Sequence, residues 1–491
     1  MSPQCKAMLI RSLVFGVYFP LLTVISLFVL YKIKMVAVYF ITRRKTPIPT
    51  KRFQSLPFVT IQLPLYNESE VVERLLTSAA ELDYPRNLFE VQVLDDSTDG
   101  SERLSRRLVK RFRKQGFQFE LIHREDRKDF KAGALAHGLK YAKGEFVAVF
   151  DSDFIIPRHF LRETIHFFTQ PEIGMVQARW GFLNEAQSLL TRIQSTFLNG
   201  HFVIEHCSRS RSGNFFNFNG TAGIWRKDTI SDAGGWEGDT LTEDLDLSYR
   251  AQLKGWRFVY LKDLIAYSEL PPTLDAYNGQ QFRWAKGMVQ VMMKLLGRIW
   301  THPASLYQKI DASIHLGTFM GYIWSVLISL ITLPILAVAK EYIDAHFFHL
   351  ALFFVITNFL MLYLFYVVSD IEARGLKIQS FVYPACLIFL GVGFSVNGIF
   401  AVGDALKGRK TPFIRTPKFN CTGMAIKSEN NAGPVYGVLG VVALYFVAMI
   451  VYIFAVKKPS LLMAAAFFAP GYWWLLWLWL RERTALAPKK S

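Results

Sequence analysis

Several signatures of common protein classes are missing from the sequence. The 491 residues include four cysteines that form no CxxC pair, so the sequence indicates neither a disulfide framework nor a zinc site. Neither GxGxxG nor GxxxxGK followed by Ser or Thr occurs, which removes the usual support for dinucleotide binding and for P-loop hydrolysis. The sequence also lacks internal repeats and low-complexity segments.

Charge is absent from six long hydrophobic runs, although the whole chain has a formal net charge of +17. Each run is long enough to cross the hydrocarbon core of a bilayer. TRRKTP follows the first run in place of a small-residue cleavage site, so we expect a signal anchor and not a cleaved signal peptide. The sequence therefore predicts an integral membrane protein with runs at Ser12–Tyr31, Ala312–Ala339, Phe347–Ser369, Ile378–Gly403, Asn430–Val456 and Pro459–Leu480.

Basic residues predict the orientation of the chain. Five Lys or Arg follow the first run between positions 43 and 52, which places the long polar segment after it in the cytoplasm. Six Lys or Arg between Gly403 and Asn430 predict a second cytoplasmic segment. Because three runs lie between these two segments, one should not cross fully, and the Gly- and Pro-rich run Ile378–Gly403 is the candidate.

We therefore expect a multi-pass protein of the cell membrane, or of the Golgi membrane in a eukaryote, with four parts. Residues 1–45 form a membrane anchor, 46–280 a cytoplasmic domain, 281–311 amphipathic interface helices, and 312–491 a membrane region with a cytoplasmic loop at 404–430. Basic residues lie mainly at membrane boundaries, so they indicate contacts with lipid phosphates and argue against nucleic-acid binding.

The polar segment alternates strand and helix patterns. FVTIQL (58–63), FEVQVL (89–94), FQFELI (117–122) and FVAVF (146–150) are typical of buried strands, and helices are predicted at Ser69–Leu82, Ser101–Gln115 and Lys131–Ala142. This order predicts an α/β fold of Rossmann type with a parallel sheet. Ligands of such sheets bind beyond the carboxyl ends of the strands.

Carboxylates follow two of these strands. Asp151 and Asp153 are one residue apart, a spacing that lets both reach one divalent cation such as Mg²⁺ or Mn²⁺. On spacing alone, a strand-end turn without a metal remains an alternative. Asp95 and Asp96, by themselves, are typical of turn or cap residues.

A third acidic cluster, TLTEDLDL, follows the glycine-rich segment DAGGWEGD. Thr242 can cap the next helix, with Glu243 and Asp244 in the first turn of that helix. Asp244 becomes a candidate general base if this loop folds over a diphosphate site.

The clusters LPLYNE, LDDSTDGS, KAGAL, DSD, FNGTAG, TED and QQFRW occur in this order between Phe58 and Trp284. As an ordered set they resemble the motifs of family 2 glycosyltransferases of the processive branch. VLDDSTD and LKGWRF resemble in particular the plant cellulose-synthase-like mannan and glucan synthases. The resemblance extends over roughly Phe58–Lys418 and implies a GT-A-like domain inserted between transmembrane helices, acting on a nucleotide-sugar donor.

The resemblance also implies site residues. Tyr66, Asp95, Asp96 and Lys131 correspond to nucleotide-binding positions, Asp151 and Asp153 to the metal site, and Asp244 with Glu243 to the catalytic TED motif. Gln280, Arg283 and Trp284 match QxxRW, whose arginine contacts the diphosphate and whose indole stacks on the acceptor sugar. Phe413, Thr416 and Lys418 have the spacing of the gating loop of cellulose synthases, although Arg415 replaces a valine there.

Two further patterns lie outside these motifs. A helix after QQFRW has Trp284, Met288 and Val291 on one face and Lys286 and Lys294 on another, which predicts a basic interface helix; packing on the soluble domain is the alternative. HFVIEH (201–206) matches neither HExxH nor HxxEH, so we expect a structural role there.

The implied reaction is inverting transfer of a hexose, from UDP-glucose or GDP-mannose, to a growing β-linked polysaccharide that is exported. One rival is a glycolipid synthase that adds a single sugar to a membrane lipid. A second is a sugar transporter with a binding domain, which the absence of charge in the six runs disfavours.

Overall fold

The computed structural model describes residues 14–342, 345–409, 433–457 and 461–486, together with Cys5, Met8 and Ser12. An α/β domain follows one long N-terminal helix and precedes a group of long helices. The strands are β1 (Val59–Leu65), β2 (Phe89–Asp95), β3 (Phe119–His123), β4 (Phe146–Val149), β5 (Ile173–Phe182), β6 (Gly223–Arg226) and β7 (Arg257–Ser268).

The helices up to the end of the α/β domain are α1 (Phe19–Thr42), α2 (Ser69–Ala80), α3 (Glu102–Lys114), α4 (Phe130–Leu139), α5 (Phe160–Thr164), α6 (Leu189–Asn199), α7 (His206–Ser212), α8 (Lys227–Asp232) and α9 (Glu243–Gln252). A π-helix, Gly200–Glu205, joins α6 to α7. The remaining helices are α10 (Leu274–Thr301), α11 (Leu306–Leu316), α12 (Gly321–Tyr342), α13 (Ala345–Arg374), α14 (Gln379–Leu406), α15 (Gly433–Ala455) and α16 (Leu462–Leu486).

The seven strands form one sheet in the order β3-β2-β1-β4-β6-β5-β7. The four strands that the sequence predicts are parallel, as expected. β6 runs antiparallel to β4 and to β5, so the sheet is mixed and the prediction of a parallel sheet is wrong for that part. Val59, Ile61 and Leu63 of β1 are fully buried, which is typical of a central strand covered on both faces.

Among the described residues, six helices are long and apolar enough to cross a membrane: Val14–Thr42, Thr318–Ala337, His349–Arg374, Gln379–Leu406, Gly433–Ala455 and Leu462–Thr484. They coincide with the six uncharged runs of the sequence. Gln379–Leu406 differs from the others because two-thirds of its apolar core is covered by protein, against 28–39% for the other five.

α14 makes a polar contact with a neighbouring helix near each of its ends. Near its start, the hydroxyl of Tyr383 accepts a hydrogen bond of 2.5 Å from Arg192 of α6. Near its end, Asp404 lies 3.3 Å from the ammonium of Lys286 on α10. A straight helix of 28 residues is about 42 Å long, so α14 contacts α6 near one end and α10 near the other.

α10 packs on protein along more of its surface than the amphipathic pattern predicts. Val291, Leu295 and Ile299 are fully buried against α9 and α11, and burying each such side chain contributes about 1.5–3 kcal/mol. Lys286 is also fully buried. Lys286 departs from the expected basic face, since its ammonium lies inside the protein beside Asp404 of α14, whereas packing on the α/β domain is found at Val291, Leu295 and Ile299.

Candidate functional site

A polar cavity of about 210 Å³ lies at the carboxyl edge of the sheet. The register pairs Leu65, the last residue of β1, with Asp95, the last residue of β2, so the segments after both strands leave the sheet side by side. The cavity collects most of the predicted site residues, which line it as follows: Tyr66, Asp96, Lys131, Asp151, Asp153, Glu243, Asp244, Gln280, Arg283 and Trp284.

Lys131 links the DSD, FNGTAG and TED motifs. Its ammonium forms a short ion pair with Asp151 and donates to the carbonyl oxygen of Gly220 at 2.9 Å. Gly220 has a φ of +79°, and a Cβ there would lie 3.0 Å from Oδ2 of Asp244 and 3.4 Å from Nζ of Lys131. Glycine is required at this position because a side chain would both strain the backbone and crowd the side chains of Asp244 and Lys131.

The two TED carboxyl groups hold protons unusually tightly. Burial, reinforced by the neighbouring Glu243 carboxylate, raises the pKa of Asp244 to about 8, although Lys131 opposes the shift. Burial also raises the pKa of Glu243, against the attraction of Lys131 and Arg283. Burial alone would lower the pKa of Lys131, but Asp151, Glu243 and Asp244 outweigh it and raise that pKa above its usual range. A raised carboxyl pKa is a property of many general bases.

The loop before TED folds over the polar cavity. A Cβ on Gly238 would lie 2.5 Å from the Cβ of Asp129, so this glycine allows the loop to approach the start of α4. Leu241 and Thr242 line the cavity. The expected capping by Thr242 is wrong, since its side chain makes no cap hydrogen bond to α9. It packs instead against Gly287 of α10, where an added Cβ would lie 2.5 Å from Cγ2 of Thr242.

QQFRW lies within α10, which begins at Leu274 with Thr273 as a side-chain cap. Gln280, Arg283 and Trp284 line the cavity opposite the strand ends. Burial lowers the pKa of Arg283 to about 10, with Glu243 opposing the shift, so its guanidinium remains a cation at neutral pH. Arg283 thus brings a positive charge to the cavity wall that faces the acidic strand ends.

Two arginines outside the motifs contact the predicted nucleotide-binding residues. The Arg127 guanidinium stacks 3.2 Å from the ring centre of Tyr66, and both line the cavity. Arg124 holds Asp96 through two hydrogen bonds, one of them 2.9 Å from Nε to Oδ1. The motif reasoning missed both arginines, although HREDRKDF places them directly before KAGAL.

Asp95 is not on the cavity wall in this structure. It is 1% exposed, and its Oδ1 accepts from the backbone N–H of Ser97 at 2.9 Å, as expected of a turn residue. Its carboxylate therefore supports the segment that carries Asp96, whereas Asp96 itself reaches the cavity.

Asp151 and Asp153 provide hard oxygen ligands in the same cavity, which fits a divalent cation in ligand chemistry. The Asp151 side chain is 31% exposed there and already attracts the Lys131 ammonium. A second acidic group, Glu237, Asp239 and Asp246, is different. The ammonium of Lys294 lies 2.6–3.1 Å from these three carboxylates, so a lysine already supplies the positive charge there.

An apolar cavity of about 420 Å³, called the apolar channel below, lies between the long helices and shares part of its wall with the polar cavity. Asp244, Trp284 and Asn219 line both spaces. Along α1 the channel extends from Lys32 to Leu22, a rise of about 15 Å, which is half the usual hydrocarbon thickness of about 30 Å. Aromatic side chains cover much of its wall, among them Trp180, Phe202, Tyr277, Tyr322, Phe359 and Phe394.

Three of the predicted site residues, Phe413, Thr416 and Lys418, lie outside the described residues, as does most of the segment 404–430. The part of this segment that is described begins with Asp404 and ends with Arg409, whose backbone oxygen accepts from Lys286 at 2.7 Å.

Residues 57–287 match the family described as "Glycosyltransferase like family 2". The chain is 44% identical over 244 residues to a probable glucomannan 4-beta-mannosyltransferase 7 of Oryza sativa subsp. japonica, covering 49% of this chain and 42% of that protein. It is 41% identical over 250 residues to glucomannan 4-beta-mannosyltransferase 7 of Arabidopsis thaliana, covering 50% and 45%. The chain thus spans about half the length of the curated relatives it matches.

The fold is similar to that of a mannosyltransferase from Pyrobaculum calidifontis solved in complex with GDP-Man and Mn²⁺. The TM-score is 0.55 at 19% identity, over 79% of this chain and 100% of that one. These comparisons confirm the α/β fold and the resemblance to cellulose-synthase-like enzymes that the ordered motifs indicate. The domain at residues 57–287 thus matches the family 2 glycosyltransferases, and over about half their length the plant glucomannan mannosyltransferases are similar to it.

Proposed function

We propose that the protein is a membrane-embedded inverting glycosyltransferase that extends a β-linked polysaccharide, with GDP-mannose as its donor. The observation that carries the proposal is the wall shared by the polar cavity and the apolar channel, which includes Asp244 and Trp284. A donor bound in the cavity would deliver its sugar at the mouth of the channel. The glucomannan mannosyltransferase activity named for the relatives supports mannose as the transferred sugar.

The donor binds with its nucleotide at the strand ends and its diphosphate against α10. Tyr66 and Asp96 lie on the nucleoside side, and Lys131 and Arg283 bring two cations to the diphosphate. The planar guanidinium of Arg283 can donate two parallel hydrogen bonds to phosphate oxygens. Gln280, one turn earlier on the same helix face, adds an amide to this wall.

Asp151 and Asp153 would hold Mg²⁺ or Mn²⁺. When bound, this ion supplies positive charge to the diphosphate of the donor. The ammonium of Lys131 forms an ion pair with Asp151, so Lys131 and the metal ion would share one carboxylate. We expect Lys131 to turn towards the diphosphate when the donor is present.

Asp244 removes the proton of the acceptor hydroxyl as its oxygen attacks the anomeric carbon. The bond to the leaving diphosphate breaks in the same displacement, which inverts the anomeric configuration. A positioned general base of this kind contributes about 10²–10⁴-fold to the rate. Arg283 and Lys131 stabilise the negative charge on the departing nucleoside diphosphate.

The apolar channel receives the product. Sugar rings have flat apolar faces, and the aromatic wall offers many weak stacking contacts, none of which has to be broken at great cost when the chain advances. Among the described lining residues, charge is confined to Lys32, Glu205 and Asp244 at the end nearest the polar cavity.

The α/β domain faces the cytoplasm, where nucleotide sugars are made, and α14 runs along its membrane-facing surface without a full crossing. The contacts of Tyr383 with Arg192 and of Asp404 with Lys286 support this topology, since they hold both ends of α14 to helices, α6 and α10, that also line the polar cavity. Ser428→Cys in a variant lacking the native cysteines tests it. We expect no labelling of intact cells by an impermeant thiol reagent until the membrane is permeabilised; immediate labelling would refute the topology.

A donor assay tests the activity. The full-length protein in lipid nanodiscs is incubated with Mn²⁺ and radiolabelled GDP-mannose or UDP-glucose, with Asp244→Asn as the inactive control. We expect long products from GDP-mannose that a β-mannanase degrades. Label found solely in single-sugar lipids would replace the proposal with the glycolipid synthase, and label found in no product would contradict transferase activity with these donors.

A further inference from the structure

The segment HFVIEH, expected to be structural, lies on the wall of the apolar channel. His201 and Glu205 both line the channel, as does Lys32 of α1 opposite them. His201 and Glu205 lie on the π-helix Gly200–Glu205, a geometry that occurs frequently at functional sites. Charged side chains are expensive in an otherwise apolar wall, so a polar group that persists there calls for a ligand or a partner.

Asn219 of the FNGTAG motif orients His201. Its Oδ1 accepts from Asn217 at 3.1 Å and lies 2.9 Å from Nε2 of His201, while its Nδ2 lies 2.8 Å from Nε2 of His206. Because Oδ1 is an acceptor, Nε2 of His201 is the donor in that pair. Nδ1 of a neutral His201 is therefore left as an acceptor.

Glu205 lies beside this acceptor. Burial would raise its pKa, but the attraction of Lys32, reinforced by Arg209, outweighs burial and holds the pKa well below its usual range. Its Oε2 is 3.9 Å from Nδ1 of His201, too far for a direct hydrogen bond. Two acceptors thus stand side by side on the channel wall.

We propose that His201 and Glu205 form a subsite for the growing chain, each accepting a hydrogen bond from one of two neighbouring hydroxyls of a hexopyranose unit just past Trp284. This rests on the proposed function and extends it from the reaction to the path of the product. Hydroxyl groups can donate to both acceptors, whereas a lipid hydrocarbon chain could satisfy neither. Lys32 holds Glu205 ionised, and Asn219 holds the His201 ring in place.

His206 does not fit a metal-binding alternative for this segment. Its Nε2 already lies 2.8 Å from Asn219 and 3.1 Å from the carbonyl oxygen of Asn217. Its ring packs against Phe216 and Tyr260 and is fully buried. His206 therefore supports Asn219 from behind the wall, while His201 faces the channel.

The test measures product length and nucleotide release together. Full-length His201→Ala in nanodiscs receives radiolabelled GDP-mannose and Mn²⁺; released GDP and the length distribution of the product are recorded. We expect mean length to fall about fivefold, the size of one lost hydrogen bond, and to fall more than GDP release does. His201→Gln, which retains an acceptor, should recover part of the length. His137→Ala, on the outer surface of α4, should leave both readings unchanged.

A double variant, Glu205→Met with Lys32→Met, removes the second acceptor together with the ammonium that pairs with it, while Arg209 keeps its ion pair with Asp311 at 3.5 Å. It should also shorten the product. Shortening in both this variant and His201→Ala would show that the effect does not come from misfolding of one of them. Wild-type product length in both His201→Ala and the double variant would overturn the subsite. Absence of polymer from the wild-type protein would instead contradict the proposed function, so the two failures can be told apart.

Discussion

The polar cavity and the apolar channel are neighbours with opposite walls. Asp151, Asp244, Lys131 and Arg283 crowd charge into about 210 Å³ on one side, whereas mainly aliphatic and aromatic side chains enclose about 420 Å³ on the other. Tight, directional contacts suit a donor that must be held for reaction. Weak, repeated contacts suit a chain that must move after each transfer. Trp284 of α10 lines both spaces, so one side chain is placed beside both the donor and the moving chain.

The difference between the walls also separates two kinds of variant. A change in the polar cavity should alter the rate of transfer with every acceptor. A change in the apolar channel should alter how far a chain grows, because the same donor chemistry remains in place.

Loss of the Asp244 carboxylate should have the largest effect. Asp244→Asn preserves shape but removes the base, so we expect transfer to fall by about 10²–10⁴-fold while donor binding persists. Transfer is measured by GDP release with acceptor, and binding by calorimetry with GDP and Mn²⁺. Asp263→Asn, whose side chain is 77% exposed on β7, is the matched control. Normal turnover in Asp244→Asn would remove it as the base.

The sequence predicts the central part of the fold because its signals are local. β1, β2 and β4 are short segments rich in Val, Ile, Leu and Phe, and the helices between them begin and end within a few residues of the prediction. β6 was missed because four residues, GIWR, form a strand between β4 and β5 without any periodic pattern of their own.

The site was predictable where a motif carries the functional side chain itself. The partners that hold those side chains were not. Arg124 reaches Asp96 across 28 positions and Lys286 reaches Asp404 across 118, and no local pattern records such contacts. His201 shows the same limit, since its place on the channel wall depends on how α1 and α10 pack around it.

Removal of the Trp284 indole should have a smaller effect, and mainly on chain length. Stacking of this kind contributes about 0.5–1.5 kcal/mol, equivalent to about a two- to tenfold weaker hold on the acceptor. Trp284→Ala should therefore shift products towards free sugar and short oligomers, with GDP release less affected, as measured by gel filtration of labelled product. Trp300→Ala lies on the same helix, is 47% exposed, and serves as the control. An unchanged length distribution would separate Trp284 from the acceptor.

The smallest effect is expected at Lys294, a residue of α10 that contacts the loop before TED but lines neither the polar cavity nor the apolar channel. Lys294 bonds Glu237 at 2.6 Å and Asp246 of α9 at 3.1 Å, so it fixes the loop and the TED helix relative to Arg283, three turns away. Lys294→Met should loosen the loop but leave Asp246 paired with Arg250 at 2.7 Å. We expect a loss of about threefold in transfer rate with unchanged product length, because partly exposed ion pairs contribute about 1 kcal/mol or less. Arg298→Met, one turn further along and exposed, is the control. Equal losses in both variants would show that charge on this helix face matters in general, and that the tether to Asp246 does not.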